Sequence, residues 1–351
     1  MLRKLLTLET ITEEPKDLYL VELDDSEYKG TLAQEGILGD MKDKIGDFFK
    51  KETEKDLKFK EYVVTHDEKL HEDIAYIETV IHGKKALRVD PTVIKLTKYA
   101  KYISVNNKVF SKADQLTVEL DSLLKLLHLF DTDYINRYNE YLKYYANTVI
   151  KTAMTDLKEG KKLGIASIEK LYPSSFDSVL ISTKKYKMSN GGSEEFKCSK
   201  NYLSDMIVIG QDASTGDYKS KALYISLDNE LGSTNVTEAS VIPFNPKQVA
   251  EIVAKVKESV DILESITNFN RVRASRIELA SSIDKYIKNY NKLSDFSSSD
   301  VATIKMIYSG ALNAISQRDC VLSLTEIVHH VLRVILSICM SSVRRMEWLN
   351  E

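Results

Sequence analysis

Five prolines, at positions 15, 91, 173, 243 and 246, are all that interrupt a chain of 351 residues. Proline removes a backbone donor and clashes with the preceding helical turn, so the long stretches between these positions are free to be helical. Hydrophobic residues make up 43% and charged residues 29%, which is ordinary for a packed body and argues against wholesale disorder. The length allows two or three domains with an ample core.

Residues 1–30, with Pro15 and the acidic patch Glu22–Glu27, read as extended until bound. From Gly36 the apolar residues Ile37, Leu38, Met41, Ile45, Phe48 and Phe49 fall on one face of a helix. Asp40, Lys42, Asp43, Lys50 and Lys51 take the opposite face. Residues 50–72 are highly charged and read as an exposed helix or linker. Asp73–His82 opens the folded body, Gly83 ends that helix, and Asp90-Pro91 marks a turn. Between Pro91 and Pro173 the patterns are helical, with breaks expected at Val105-Asn106-Asn107 and Gly160–Gly164. The run Asp114–Lys158 holds neither glycine nor proline.

The texture changes at Pro173. Residues 173–244 carry five of the thirteen glycines and two strand-like runs, Met206–Ile209 and Ala222–Leu227, which Gln211–Asp217 could join as a hairpin. Asn245-Pro246 then starts a helix: Asn caps, Pro suits the first helical position, and Gln248 completes a capping box. Val249, Val253, Val256, Val260 and Leu263 step at coiled-coil-like spacing in a run reaching about Leu293. Ser294–Ser299 break it before a final helix-rich segment, and two long helices joined by a short turn should pack antiparallel.

Three scattered cysteines, Cys198, Cys320 and Cys339, suggest reduced thiols rather than a disulfide frame. The start Met1-Leu2-Arg3-Lys4-Leu5-Leu6 lacks the apolar region of a signal peptide, since Glu9, Glu13 and Glu14 follow at once. Val328–Val343 is apolar but too short and too interrupted to cross a bilayer, so no transmembrane segment is expected and a buried core helix is the better reading. A net charge of −3 gives no general argument for nucleic acid.

The six histidines form no metal pattern. His66 and His71 lie five apart, off the one-turn spacing of a helical zinc pair, and the adjacent His329 and His330 point in different directions. His128 reads as packed among leucines. Gly210-Gln211-Asp212-Ala213-Ser214-Thr215-Gly216 looks like a phosphate loop, but Asp217 stands where lysine is required, and a hairpin turn is the better reading. Asn190-Gly191-Gly192 reads as an ordinary turn. No catalytic motif is visible, and neither cofactor nor metal is expected. Tyr134, Tyr138, Tyr141 and Tyr145 form a stripe flanked by Arg137 and Lys143. Such a surface could stack single-stranded nucleic acid; a bundle core with phenols at its rim is the favoured alternative.

Residues 1–35 hold nine acidic and four basic side chains, a net of −5, so the remainder carries +2. That leader ends at Ala33-Gln34-Glu35-Gly36, where a small residue, any residue and glutamate precede a glycine. Accessible, poorly ordered backbone is where proteolysis concentrates. An acidic leader, an Ala-x-Glu cut before Gly, the amphipathic Gly36-Ile37-Leu38-Gly39-Asp40-Met41 segment and a long helical remainder resemble the internal head proteins of giant tailed phages, the phiKZ-like myoviruses. The resemblance is sharp over about residues 30–50 and general elsewhere. It implies a precursor cut after Glu35 by a prohead protease, which would leave Gly36 as the new N-terminus. It also implies a non-enzymatic virion structural protein with capsid or scaffold proteins as partners, DNA contact as a further option, and an oligomer as possible. Such a protein passes from host cytoplasm into the capsid interior.

The expected fold is mainly α, with long antiparallel helices in two blocks around a small α+β or β-rich insertion. The divisions are 1–35 leader, 36–72 amphipathic and charged segment, 73–172 helical block, 173–244 insertion and 245–351 C-terminal helical hairpin. Two alternatives stand beside the virion reading: an intracellular helical adaptor using the 36–51 face or the 249–263 seam, and a membrane-surface binder using the 36–51 face. Four lysines against three aspartates over 36–51 would give anionic lipid little to attract.

Overall fold

The computed structural model describes residues 34–84, 86–97, 99–159, 172–187, 193–215, 218–227, 236, 238–267, 270–290, 307–308, 310–311, 314–315 and 317–348, with some side chains, those of 34–53 among them, outside that description. The expected breaks at 160–164 and 294–299, the turn at 190–192 and the leader up to Ala33 lie outside it.

A single helix, α1 (Gln34–Ile81), takes up the first 48 described residues, about 72 Å at 1.5 Å per residue. The amphipathic segment and the charged stretch after it are therefore one element. The charged stretch is not a linker. Phe59, Val63, Asp67, Leu70, Ile74 and Ile77 are buried, at steps of four, four, three, four and three, which is one face of a helix. The body thus begins well before Asp73. Asp67 is the one charged residue on this stripe.

Between Ala86 and Val109 the chain is extended rather than helical. Strand β1 (Ala86–Val89) pairs antiparallel with the last strand, β10 (Met346–Trp348), and β2 (Ile94–Thr97) pairs with β9 (Glu238–Val241). A 3-10 turn, Ala100–Ile103, leads into the small hairpin of β3 (Ser104–Val105) and β4 (Lys108–Val109). The break at Asn106-Asn107 is its two-residue turn, and both asparagines adopt left-handed backbone, with φ of 53° and 60°. That combination is the hairpin turn whose twist matches its strands.

The proline-free run that follows is continuous. Helix α2 (Ala113–Leu129) passes through a π turn, Phe130–Tyr134, into α3 (Ile135–Tyr144), and through a second π turn, Tyr145–Ile150, into α4 (Lys151–Lys158). Between the two wider turns, Tyr134, Tyr138, Tyr141 and Tyr145 step at four, three and four, the spacing of one helical face, and all four stay inside.

Residues 182–227 form a four-stranded antiparallel sheet in the order β5 (Ser182–Lys187), β6 (Ser193–Cys198), β7 (Met206–Thr215), β8 (Tyr218–Leu227). The β7–β8 hairpin is longer than expected, pairing from Met206↔Leu227 to Thr215↔Tyr218, so most of the expected loop 211–217 is strand. Gly210 lies on β7 where a Cβ would come within 2.6 Å of the Leu180 Cδ1. Close packing, not phosphate, accounts for that glycine.

Asn245 and Gln248 form the reciprocal capping box, at 2.9 and 3.0 Å, that opens α5 (Pro246–Thr267). The expected single run to Leu293 is two helices, α5 and α6 (Asn270–Tyr290). The last helix described, α7 (Arg318–Val343), is followed by β10. The fold is mainly α, with a few small sheets. Helix α5 packs on α1 and α2, α3 packs on α6, and α7 packs on α1 and α5 and beneath β8. One contiguous core runs from Leu70 to Met346. Among the described residues, only Asp319–Val343 is long and apolar enough to span a membrane; 67% of its most apolar window is buried inside the body, as suits a core helix.

Candidate functional site

The densest group of titratable side chains lies where α1 meets α7. Every third or fourth residue of α1 faces inward, and that stripe places Asp67 against α7. There its Oδ1 lies 2.8 Å from Nε2 of His329, a residue with no exposed surface. The other ring nitrogen of His329, Nδ1, is buried without a hydrogen-bond partner.

One residue earlier on α1, His66 anchors its Nδ1 on the Tyr62 carbonyl at 2.7 Å and stacks on the Tyr62 ring, 3.9 Å between centroids. It also lies nearly parallel to His329, 5.8 Å away at 9°. His330, the next residue on α7, meets Tyr102 of the 3-10 turn at 5.5 Å. Its Nδ1 is buried without a hydrogen-bond partner, as is the Tyr62 hydroxyl.

Burial sets the electrostatics of this group. It pushes the His66 imidazole below its ordinary range, and the neighbouring His329 and Arg333 act in the same direction. His330 is depressed to about 4, first by burial and then by His66, Arg333, His329 and Lys101. Burial raises Glu326 and Asp73, with Arg333 opposing the rise at Asp73. The Tyr62 phenol is pushed far up by burial and by Glu326, so it stays protonated. Burial therefore favours the uncharged imidazole at both His66 and His330. Buried thiols elsewhere are unreactive: burial raises Cys339 to about 12 and Cys320 further still.

The residues singled out in the sequence fall elsewhere. Gln34, Glu35 and Gly36 form the first turn of α1, while Ala33 lies outside the described residues. The backbone of Ile37, Leu38, Met41, Ile45, Phe48 and Phe49 is helical, which is the geometry their spacing requires; their side chains lie outside the description. The tyrosine stripe is core. Tyr134, Tyr138 and Tyr141 are each at most 3% exposed, so no base can stack on them, while Arg137 and Lys143 face solvent, Arg137 beside Glu140 at 3.7 Å. The hydroxyls of Tyr138 and Tyr145 donate to the Ile315 and Ile307 carbonyls at 2.9 and 2.8 Å, and Tyr134 donates to Gln317 at 3.3 Å. The stripe holds Ile307, Ile315 and Gln317 in place.

His128 is not packed among leucines; it is half-exposed and meets Glu258 at 3.2 Å. His71, likewise half-exposed, meets Glu264 at 2.7 Å. Among the described residues no group of three histidine, cysteine or carboxylate side chains is placed to hold a metal ion. The α1–α7 group escaped the sequence reading because histidine spacing was tested within one helix at a time. The legible signal was different: Asp67 sits in phase with Phe59, Val63, Leu70 and Ile74, where a charge needs a partner. No protein-family model matches this chain, and neither does any curated protein or solved structure.

Proposed function

We propose that this chain is a non-enzymatic structural protein of a phage head, synthesised as a precursor and cut after Glu35. The observation that supports this reading best is the distance between Glu35 and the described core. Glu35 and Gly36 belong to α1. The first buried side chain described on α1 is Phe59, about 35 Å further along the axis. A cut at Glu35 would release the acidic leader and leave the helix docked.

The charge change fits assembly. Losing nine acidic and four basic side chains turns a chain of −3 into a body of +2. Such a protein would meet the prohead protease first, then scaffold or capsid proteins, with packaged DNA as a further contact. The deciding measurement is intact mass and N-terminal sequence of the protein from mature particles. An N-terminus at Gly36 is expected in the wild type, and Glu35→Ala should leave the precursor uncut. Full-length protein in mature particles would overturn the reading and favour a helical adaptor that keeps its leader and docks through the 36–51 face.

A further inference from the structure

We infer that the seam between α1 and α7 is a proton-operated latch: acid charges His66 and His330 together and releases α1 from the body. The geometry carries this. Two helices meet across three imidazoles, and each helix contributes at least one. From α1 the facing groups are Tyr62, His66, Asp67, Lys69 and Asp73; from α7 they are Glu326, His329, His330 and Arg333; from the 3-10 turn they are Lys101 and Tyr102. Only His329 has an acid on its ring, at 2.8 Å. His66 bonds a backbone carbonyl through Nδ1, and the buried Nδ1 of His330 meets no acceptor at all.

A second proton on either of these two rings would therefore place uncompensated positive charge beside Arg333, Lys69 and Lys101. On the α5 side, α1 is tied by His71–Glu264 and Lys257–Glu78, at 2.7 and 3.4 Å, all four side chains close to half-exposed. Such solvent-screened pairs hold weakly, although charging His71 would strengthen one of them.

The sign follows from the depressed rings. A histidine held below its unfolded value takes up its proton more readily when α1 is detached. The latch is thus fully closed above about pH 6.5. It weakens as the pH falls towards about 4, the value of His330 when docked. The proposal is independent of any cut at Glu35, because every group named lies between residues 62 and 333.

The test is hydrogen exchange on the full chain at pH 7.5, 6.0 and 5.0, corrected for intrinsic rates. Amides of residues 59–81 should exchange at least tenfold faster at pH 5.0 than at 7.5, while those of α2 and α5 keep their protection. A His66→Gln/His330→Gln protein should lose that dependence. Protection over 59–81 that ignores pH, or that disappears together with the rest of the molecule, overturns the latch; so does a double variant that keeps the wild-type profile. Histidine ring NMR on the wild type needs no variant. His66 and His330 must titrate below the ordinary imidazole value of about 6.5, and rings that titrate at that value would equally overturn it.

Discussion

Asp67 and His329 show what a single buried polar pair demands of a core. Both lie inside, 2.8 Å apart, on a stripe otherwise filled by Phe59, Val63, Leu70, Ile74 and Ile77. Taking away one partner leaves the other buried and unsatisfied, at about 1–3 kcal/mol, whereas replacing both by apolar groups of similar shape can be nearly neutral. Asp67→Leu should therefore lower stability by about 2 kcal/mol, and Asp67→Leu/His329→Leu should recover most of that loss. Chemical denaturation midpoints decide it, and a double variant as weak as the sum of its singles would refute the argument. A comparable logic governs Asp205, which is buried with positive φ. Its carboxylate accepts the Asn106 N–H and, at 3.4 Å, the Asn107 N–H. Two left-handed segments distant in sequence are thereby fixed against each other.

Elements were legible where their signal is local. The capping box at Asn245, the in-phase valines of α5, the hairpin around 216–217 and the unbroken run 113–158 all follow from neighbouring residues, and all are present. The strands between Ala86 and Val109 were not legible, because two of them pair with segments far along the chain, β1 with β10 and β2 with β9. Two-, three- or four-residue strands carry too little alternation to be read without their partners. The π turns have no sequence signature either, whereas the tyrosine stripe between them lies at ordinary helical spacing. What the stripe holds can be measured. Tyr138→Phe removes the donor that meets the Ile315 carbonyl at 2.9 Å and leaves a buried acceptor without that bond. The expected loss is about 1–3 kcal/mol, whereas Tyr144→Phe, on the exposed side of the same helix, should fall within about 0.5 kcal/mol of wild type. Equal effects of the two would mean that the stripe does not anchor Ile307, Ile315 and Gln317.

At the scale of the whole molecule, the two ends of the described chain are woven together. Helix α1 packs on α5 and α7, and the strand following α1 pairs with the strand following α7. A chain closed in this way unfolds as one body only if each end contributes to the common core, and α1 contributes Leu70, Ile74 and Ile77. A cut after Glu35 and the proposed latch would therefore act on different parts of the same helix. Removing residues 1–35 leaves every described core side chain in place, so a chain starting at Gly36 should melt within about 4 °C of the full-length protein, a shift that corresponds to about 3 kcal/mol at an unfolding entropy of about 2.1 cal/mol/K per residue. A chain starting at Ala86 loses the buried stripe of α1 and uncovers His329 and the apolar side of α7. Leucine- and isoleucine-sized side chains each contribute about 1.5–3 kcal/mol on burial, so the loss of Leu70, Ile74 and Ile77 alone approaches the whole stability of an ordinary domain. That shorter chain should be recovered aggregated or without a cooperative transition. Thermal melts of the three chains separate the possibilities: a leader that is part of the fold would lower the melting temperature of the Gly36 protein by far more than 4 °C, and removal would then be incompatible with a mature form that keeps this structure.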